Sequence, residues 1–364
     1  MNIIPPDPTQ FTYRPVTIAG DECVLITPNH VGAKWTKQNL IFRSSIWKIE
    51  SENDWTPVSL SFKKFFNWGE QPDLCYTPFS LKANGGCQIL EKRDGSTLCV
   101  SKYRGELIVR TRGTADASFM ENGHEIELLK EKYPMAFEFA DETSDHTRIF
   151  EWESPENRIV IKHDEPDIKL TGWIRHADYT LASQTSLDSV ALMLEVPRPR
   201  WYEFASIEDM KSSVEAFKGV EGVCVYCNHG QDIRKLKGED YLARHRLKDQ
   251  LCNFSRVVEY YFVKGMPDYQ EFYNLVESEL DWETAEEVRG DISRICDGMK
   301  EVWKIVTYMA AFADSRKSWN RGEAARDILQ AYGETNRASF VFMLLDGQEL
   351  GDDHLMKLLY QVLK

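Results

Sequence analysis

Residues 87–103 read CQILEKRDGSTLCVSKY. An apolar-leaning run leads to Lys92, a polar segment follows at residues 93–96, and a second strand-forming run begins at Leu98. This order predicts a strand, a turn and a second strand. Lys92 is then expected at a strand end, and Gly95 is expected to let the backbone approach a ligand closely. Taken alone, Lys-x-Asp-Gly is more often an ordinary surface turn than a functional site.

The same strand pattern recurs between about residues 20 and 245. Apolar and polar residues alternate in short runs bounded by Gly, Asn, Asp or Pro, which is typical of half-buried antiparallel strands. These runs cover residues 22–26, 98–103, 107–111, 149–152, 158–162 and 222–226. Apolar residues at helical spacing predict a helix over residues 206–217. The expected fold class is therefore α+β, beginning with an antiparallel-sheet domain.

After residue 246 the apolar spacing becomes helical. One stripe at alternating steps of four and three consists of Val288, Ile292, Ile295, Met299, Val302, Val306 and Met309. We interpret it as a packing face inside an all-α domain, because segments 253–264, 268–280, 322–332 and 352–363 also have apolar faces to bury. Coiled-coil dimerisation is the alternative use of such a stripe. The predicted domains are residues 1–249 and 250–364.

Length and composition limit the class of protein. A chain of 364 residues exceeds the size at which single cores usually divide. No run approaches the roughly 18–20 apolar residues of a membrane helix, and the first residues lack the features of a secretory signal. We therefore expect a cytoplasmic protein without a membrane partner, with its eight scattered cysteines reduced. The net charge of −14 argues against a general nucleic-acid coat, so any RNA contact needs a local basic cluster, such as the one between Arg234 and Lys248.

Two glutamates are candidates for ligand or metal binding. Glu151 lies between Phe150 and Trp152, so on a strand the aromatic rings face one side, and Glu151 shares the other side with Glu153. Glu221 precedes the predicted strand at 222–226, where a carboxylate can hold a divalent cation. The alternative for each is a solvated glutamate that forms at most a surface ion pair.

Lys235 and Lys237 are two residues apart, so on an extended segment both ammonium groups point the same way. Fixed cations of this kind stabilise the charge that develops on phosphate oxygens during nucleotidyl transfer. A nucleophilic lysine must be uncharged, and nearby cations favour the neutral amine. We therefore expect Lys235, Lys237 and Arg43 to lower the pKa of Lys92. A solvated strand edge is the ordinary explanation of a single Lys-x-Lys pair.

Together these segments resemble the covalent nucleotidyltransferase superfamily of ATP-dependent ligases and RNA capping enzymes. The similarity is greatest to the T-even-phage type of RNA ligase, ligase 1. It rests on KKFFNWGE at residues 63–70, upstream of Lys92, and on FEWESPENRIV at residues 150–160. The motifs span residues 43–237. That family has an amino-terminal adenylyltransferase domain and an all-α carboxy-terminal domain.

The resemblance implies a role for each site residue. Lys92 would carry AMP from ATP, Glu151 would bind the ribose, and Glu221 would assist Mg²⁺ or Mn²⁺. Lys235 and Lys237 would hold phosphate oxygens as catalytic cations. The remaining expected nucleotide contacts are Arg43, Lys64, Glu91, Asp94 and Gly95.

The implied activity is ATP-dependent joining of RNA 5′-phosphate and 3′-hydroxyl ends through a lysyl-AMP and an RNA-adenylate. The resemblance further implies repair of broken RNA such as tRNA, a monomer, a substrate-selecting role for the helical domain, and the host cytoplasm if the protein is phage-encoded. Two alternatives stay open: another lysyl-nucleotide enzyme, namely a DNA ligase or a capping guanylyltransferase, and a noncatalytic RNA-binding protein on the same fold.

Two further patterns have structural and functional explanations. Cys224, Cys227 and His229 resemble half of a zinc site. Because the ligand set is incomplete, a structural zinc is not the expected use of these residues. Trp47, Trp55 and Trp68 could stack on bases, but burial is the more common fate of tryptophan.

Overall fold

The computed structural model describes residues 3–29, 33–51, 53–74, 87–139, 145–227, 232–251, 253–280 and 282–363. The chain divides into two compact units, Met1–Ala243 and Arg244–Lys364. The first contains three sheets with flanking helices and the second is helical, so the α+β class predicted from the sequence is confirmed. Among the described residues, no helix combines the length and apolar character needed to cross a membrane.

The first sheet is antiparallel and keeps the chain order of its strands. It consists of β1 (Phe11–Ile18), β2 (Asp21–Pro28), β3 (Ser45–Ser51) and β4 (Asp54–Ser59). A short 3₁₀ helix, Leu40–Arg43, precedes β3. Its buried residues Leu40, Ile41 and Phe42 anchor the segment, and Arg43 follows them at its end.

The second and third sheets contain the remaining strands. Sheet two, in the order β10-β9-β7-β8, is formed by β7 (Ser96–Tyr103), β8 (Glu106–Thr111), β9 (His146–Glu153) and β10 (Asp167–Arg175). Sheet three, in the order β11-β6-β12-β13-β5, is formed by β5 (Phe66–Asn67), β6 (Gln88–Lys92), β11 (Trp201–Tyr202), β12 (Gly222–Cys227) and β13 (Asp232–Lys237). Only the pair of β13 with β5 is parallel among the described strands.

Helices cover the outer faces of these two sheets. They are α1 (Glu125–Lys132), α2 (Pro134–Phe137), α3 (Gln184–Met193) and α4 (Ile207–Glu215). Phe150 and Trp152 of β9 pack with α1, α2 and α3, whereas Val223 and Val225 of β12 pack with α4. The opposite faces of the two sheets share a core that includes Ile149 and Cys224. The two sheets therefore face each other, with helices outside.

One predicted strand is wrong. Residues 158–162 form a bend without regular secondary structure, not a strand. The backbone N–H groups of Val160 and Ile161 both donate to the Asp94 carboxylate, so they are not available for a strand ladder.

The helical unit follows α5 (Glu239–Leu251), which spans the division between the units. Its other helices are α6 (Phe254–Val263), α7 (Tyr269–Glu279), α8 (Trp282–Glu287), α9 (Arg289–Asp314), α10 (Arg321–Tyr332), α11 (Ala338–Leu345) and α12 (Asp352–Val362). The apolar stripe starts at Val288, directly before α9, and continues along α9; it packs in the core of this unit, with Val306 alone of its residues only partly buried. This confirms the packing-face interpretation of the stripe. The helix begins at Arg289 because residues up to Glu287 form α8.

Candidate active site

Three neighbouring strands of sheet three bring together residues that are far apart in the chain. β12 pairs antiparallel with both β6 and β13, and its first residue, Gly222, lies opposite Lys92 on one side and Lys237 on the other. Glu221 directly precedes Gly222. The strand register alone therefore places the predicted nucleophile, a carboxylate and a lysine in one row.

Glu221 holds two ammonium groups at once. Its Oε2 lies 2.7 Å from Nζ of Lys92, and its Oε1 lies 2.9 Å from Nζ of Lys237. The Glu221 side chain is only 3% exposed, so both ion pairs lie in a poorly solvated place. Gly222 allows this arrangement: its φ is +150°, and a Cβ there would lie 2.0 Å from the carbonyl oxygen of Leu236.

The charge state expected for Lys92 from the sequence is wrong. Burial by itself lowers the pKa of Lys92, but the charge of Glu221, with a smaller contribution from Glu151, outweighs burial and raises the pKa above its ordinary value. Lys92 is therefore held as an ammonium ion. The carboxylate bonded to Lys92 outweighs the cations around it, and no residue next to Lys92 in the sequence indicates that this carboxylate is its partner.

The lowered pKa that was expected for Lys92 belongs to Lys235. Burial, and then the charges of Lys237, Lys92, Lys64 and Arg43, lower the pKa of Lys235 to about 8. Its Nζ lies 5.9 Å from the ring centre of Phe65, and the Arg43 guanidinium lies 4.9 Å from the same ring. A cationic cluster therefore exists, and it lowers the pKa of Lys235.

A cavity of about 440 Å³ opens between sheets two and three. Five predicted site residues line it: Arg43, Glu91, Lys92, Gly95 and Glu151. Glu151 is on β9 and faces the cavity, as the alternation with Phe150 and Trp152 predicts. Burial first, opposed by Lys92 and reinforced by Glu221, raises the pKa of Glu151 to about 7. The cavity lining thus includes one lysine, two carboxylates and three guanidinium groups.

Glu91 and Arg93 form an ion-pair network at the cavity wall. Arg93 donates from Nε to Oε1 of Glu153 at 2.7 Å and also bonds Glu91. Glu153 is almost fully buried, so this bidentate contact compensates its charge. Arg93 therefore fixes the turn after Lys92 against β9.

Asp94 and Gly95 make close contacts with other segments of the protein. Asp94 is not among the residues that line the cavity; its Oδ2 accepts the N–H groups of Val160 and Ile161, and its Oδ1 accepts the hydroxyl of Tyr241 at 2.7 Å. A Cβ on Gly95 would lie 2.3 Å from the carbonyl oxygen of Trp152. Position 95 therefore requires glycine because its backbone lies against the backbone of β9.

The two cysteines of the zinc pattern, Cys224 and Cys227, pack in different core clusters. Cys224 belongs to the core between the sheets, whereas Cys227 packs on the α4 side of sheet three. Residues three apart on a strand point to opposite faces, so these two thiols do not share a metal. His229 lies outside the described residues. The tryptophans are buried or pack against core clusters, as expected: Trp47, Trp55 and Trp68.

Several cavity residues were not singled out from the sequence. They are Thr97, Arg112 and Thr171. Arg112 directly follows the end of β8 and precedes Gly113, and a cation at a strand end with a glycine close by is also the signal that indicates Lys92. Thr97 and Thr171 lie within strands and carry no comparable signal.

Comparisons with known proteins show which family the chain resembles. The RNA ligase family model matches residues 45–252. An RNA ligase of Rhodothermus phage RM378 is 31% identical over 181 residues, which are 41% of this chain and 40% of that protein. A candidate bifunctional polynucleotide kinase/RNA ligase of Autographa californica nuclear polyhedrosis virus is 27% identical over 231 residues, 58% of this chain and 32% of that protein. An archaeal ATP-dependent RNA ligase structure aligns over 93% of each chain, with 11% identity and a TM-score of 0.45.

The chain spans well under half of the length of the two curated relatives that it matches. The family match itself covers more than half of this chain and includes the segment from β3 to α5 in which Lys92, Glu151, Glu221, Lys235 and Lys237 lie. The family predicted from the motifs is thereby confirmed, and the chain belongs to the RNA ligase family.

Proposed function

We propose that this protein is an ATP-dependent ligase that joins the 5′-phosphate and 3′-hydroxyl ends of RNA. The observation that carries the proposal is the row of Lys92, Glu221 and Lys237 at the edge of a cavity that also contains Glu151 and Arg43. A lysine, fixed cations and carboxylates in one cavity are the groups that nucleotidyl transfer through a lysyl adduct requires.

In the first step, Nζ of Lys92 bonds to the α-phosphorus of ATP and the bond to pyrophosphate breaks. The ammonium group must first lose a proton, and Glu221 is a hydrogen-bonded acceptor at 2.7 Å. Lys235, Lys237 and Arg43 supply the positive charge that stabilises phosphate oxygens and the departing pyrophosphate.

In the second step, an oxygen of the RNA 5′-phosphate displaces Lys92 and takes the adenylyl group. In the third, the 3′-hydroxyl bonds to the 5′-phosphorus, AMP leaves, and the hydroxyl proton passes to a base. The protein mainly aligns nucleophile, phosphorus and leaving group. Single-strand breaks in a folded RNA such as tRNA are the substrate that we propose.

Glu151 and Glu221 are the residues suited to hold Mg²⁺ or Mn²⁺. Their oxygens are hard ligands, and burial, opposed by Lys92 and reinforced by Glu221, raises the pKa of Glu151 to about 7. A bound divalent ion would neutralise phosphate charge. Glu221 would then interact less strongly with Lys92, and the main cause of the raised Lys92 pKa would be weakened.

The test is transfer of label from ATP labelled at the α-phosphate. The wild-type protein should form a protein–AMP adduct, pass the label to 5′-phosphorylated RNA, and seal that RNA. Lys92→Ala should lose the adduct completely, and Lys92→Arg should also lose it because a guanidinium stays protonated. An adduct on Lys92→Ala would remove the nucleophile assignment. Labelled GTP and DNA ends in parallel reactions would reveal a different nucleotide or strand preference.

A further inference from the structure

A second cavity of about 390 Å³ adjoins the first and shares Arg43, Arg112 and Gly113 with it. Arg14, Trp35 and Lys64 line only the second cavity, and Lys92 lines only the first. A group bound in the second cavity would therefore lie next to the cavity that contains Lys92, across the wall formed by Arg43, Arg112 and Gly113. The volume is in the range of sites that take a small organic ligand.

The charged side chains among the described residues that line the second cavity are all cationic. Of the described residues that line it, four are cationic and none is acidic, in a chain whose net charge is −14. Burial and then Arg112 lower the pKa of Arg43, and burial and then Arg43 lower the pKa of Lys64. These cations repel one another, and a bound anion would relieve that repulsion.

A hydrogen bond to a distant part of the chain positions Arg14 to contact an anion. This exposed residue of β1 donates from Nη1 to the carbonyl oxygen of Gly113 at 2.8 Å, although the two residues are 99 positions apart. Gly113 lines both cavities, so the bond fixes the guanidinium at their junction. It uses one of five N–H donors and leaves a planar group able to contact phosphate oxygens.

An aromatic ring accompanies the cations. Trp35 is half-buried in the wall of the second cavity, and Nζ of Lys64 lies 5.7 Å from its ring centre. Cationic grooves combined with aromatic side chains are typical of sites for single-stranded nucleic acid. A triphosphate tail has only two phosphorus atoms beyond the one that Lys92 attacks, whereas an RNA strand continues with further phosphates and nucleosides.

We propose that the second cavity binds the RNA strand next to its 5′-phosphate end, with Arg14 and Arg112 contacting a phosphodiester and Trp35 contacting the adjacent nucleoside. This rests on the proposed function, because the 5′-phosphate must reach the adenylyl group on Lys92 while the rest of the strand leaves through an adjoining space. Arg14 is thus a specificity residue for the polynucleotide and not for ATP.

The test separates the two partial reactions in the full-length protein. Arg14→Ala should form the Lys92–AMP adduct at a rate within about two-fold of wild type. In adenylyl transfer, its KM for a 5′-phosphorylated single-stranded RNA should rise about tenfold, which corresponds to about 1.4 kcal/mol. The logarithmic salt dependence of RNA binding should become shallower by about 0.7, the loss of one phosphate contact. Arg14→Lys should recover much of the KM, since the charge is kept.

Lys34→Ala is the matched control, because Lys34 is an exposed cation near Trp35 that does not line the second cavity. An equal rise of the KM in Lys34→Ala, or an unchanged KM and salt dependence in Arg14→Ala, would overturn the proposal. Slower adduct formation in Arg14→Ala would assign the cavity to the triphosphate instead and overturn it as well. Anisotropy of a labelled 5′-phosphorylated RNA on Lys92→Ala, with and without Arg14→Ala, measures strand binding even if the wild-type protein seals no RNA.

Discussion

Glu221 shows how one carboxylate can set the state of a reactive lysine. It bonds both Lys92 and Lys237, so Lys92 is held as an ammonium ion. The neighbouring cations act instead on Lys235, whose pKa is lowered to about 8 by burial and then by its lysine neighbours. Activation of Lys92 therefore depends on weakening one ion pair. We expect ligand binding near Glu221 to do this.

Glu151 offers a prediction about pH. Burial raises its pKa to about 7 from the ordinary value of 4.5, so the folded protein keeps the proton after the unfolded chain has lost it. The free energy of unfolding should therefore fall as the pH rises from about 4.5 to 7. Glu151→Gln removes this dependence, and above pH 7 the variant should be more stable than wild type by up to about 3 kcal/mol. Thermal unfolding of both proteins between pH 5 and 8 measures the difference.

The exposed Glu127 of α1 provides the control, since Glu127→Gln should leave the pH profile unchanged. A constant difference in unfolding midpoint between wild type and Glu151→Gln across this pH range would mean that Glu151 ionises normally in the folded protein.

At the scale of the element, β12 is the strand on which the site depends. It lies between β6 and β13, begins beside Glu221, and contributes Cys224 and Tyr226 to the cavity wall. Its apolar residues Val223 and Val225 point to the α4 side and hold the strand in register. A slip of one residue would exchange these two faces and separate Glu221 from both lysines.

Gly222→Ala should disturb this element. The new Cβ would meet backbone atoms of Leu236 and Lys237, and the φ of +150° is one that alanine avoids. We expect a loss of about 2 kcal/mol or more in stability and a much larger loss of adduct formation, because the Lys92–Glu221–Lys237 row is displaced. Thermal unfolding and labelling with ATP measure the two effects.

Gly290→Ala is a suitable comparison, because a Cβ at Gly290 would meet no atom within 4 Å. Should Gly222→Ala keep both wild-type stability and wild-type labelling, the backbone argument for this position would fail.

At the scale of the whole molecule, the proposed site residues and the helical unit belong to different parts of the chain. Every proposed site residue lies within Met1–Ala243, and residues 244–364 have a hydrophobic core of their own built around α9. We propose that the first unit carries the nucleotidyl chemistry and that the helical unit selects the RNA. Nucleotidyl transfer and RNA selection can then be tested separately.

A chain that ends at Leu251, and so keeps α5 complete, should fold and form the Lys92–AMP adduct with ATP. Because the helical unit is missing, sealing of a broken structured RNA should fall at least tenfold relative to sealing of an unstructured RNA of equal length. Circular dichroism establishes folding, and labelling and sealing assays measure the two reactions. A folded truncated protein without adduct would show that the helical unit contributes to adenylylation.

Much of the architecture could be predicted from local patterns, since a period of two or of three to four residues reflects which face of a segment is buried. The strands around residues 98–111 and 149–152, the α9 stripe and the orientation of Glu151 follow from such patterns. Helices α1 and α3 are not predicted, because the apolar residues of these short segments do not form a strong helical periodicity. Residues 158–162 were assigned to a strand because nothing in the sequence indicates that Asp94 takes their N–H groups.

The chemistry of the site shows the same division. Residue types and spacing along the chain were enough to identify Lys92, Glu151, Glu221, Lys235 and Lys237 as candidates, because each belongs to a short motif. Only folding, however, placed Glu221 between Lys92 and Lys237, raised the pKa of Lys92 and directed Asp94 away from the cavity. Those outcomes depend on strand register and on distances of a few ångströms between residues more than a hundred positions apart, and electrostatic energies vary steeply over such distances.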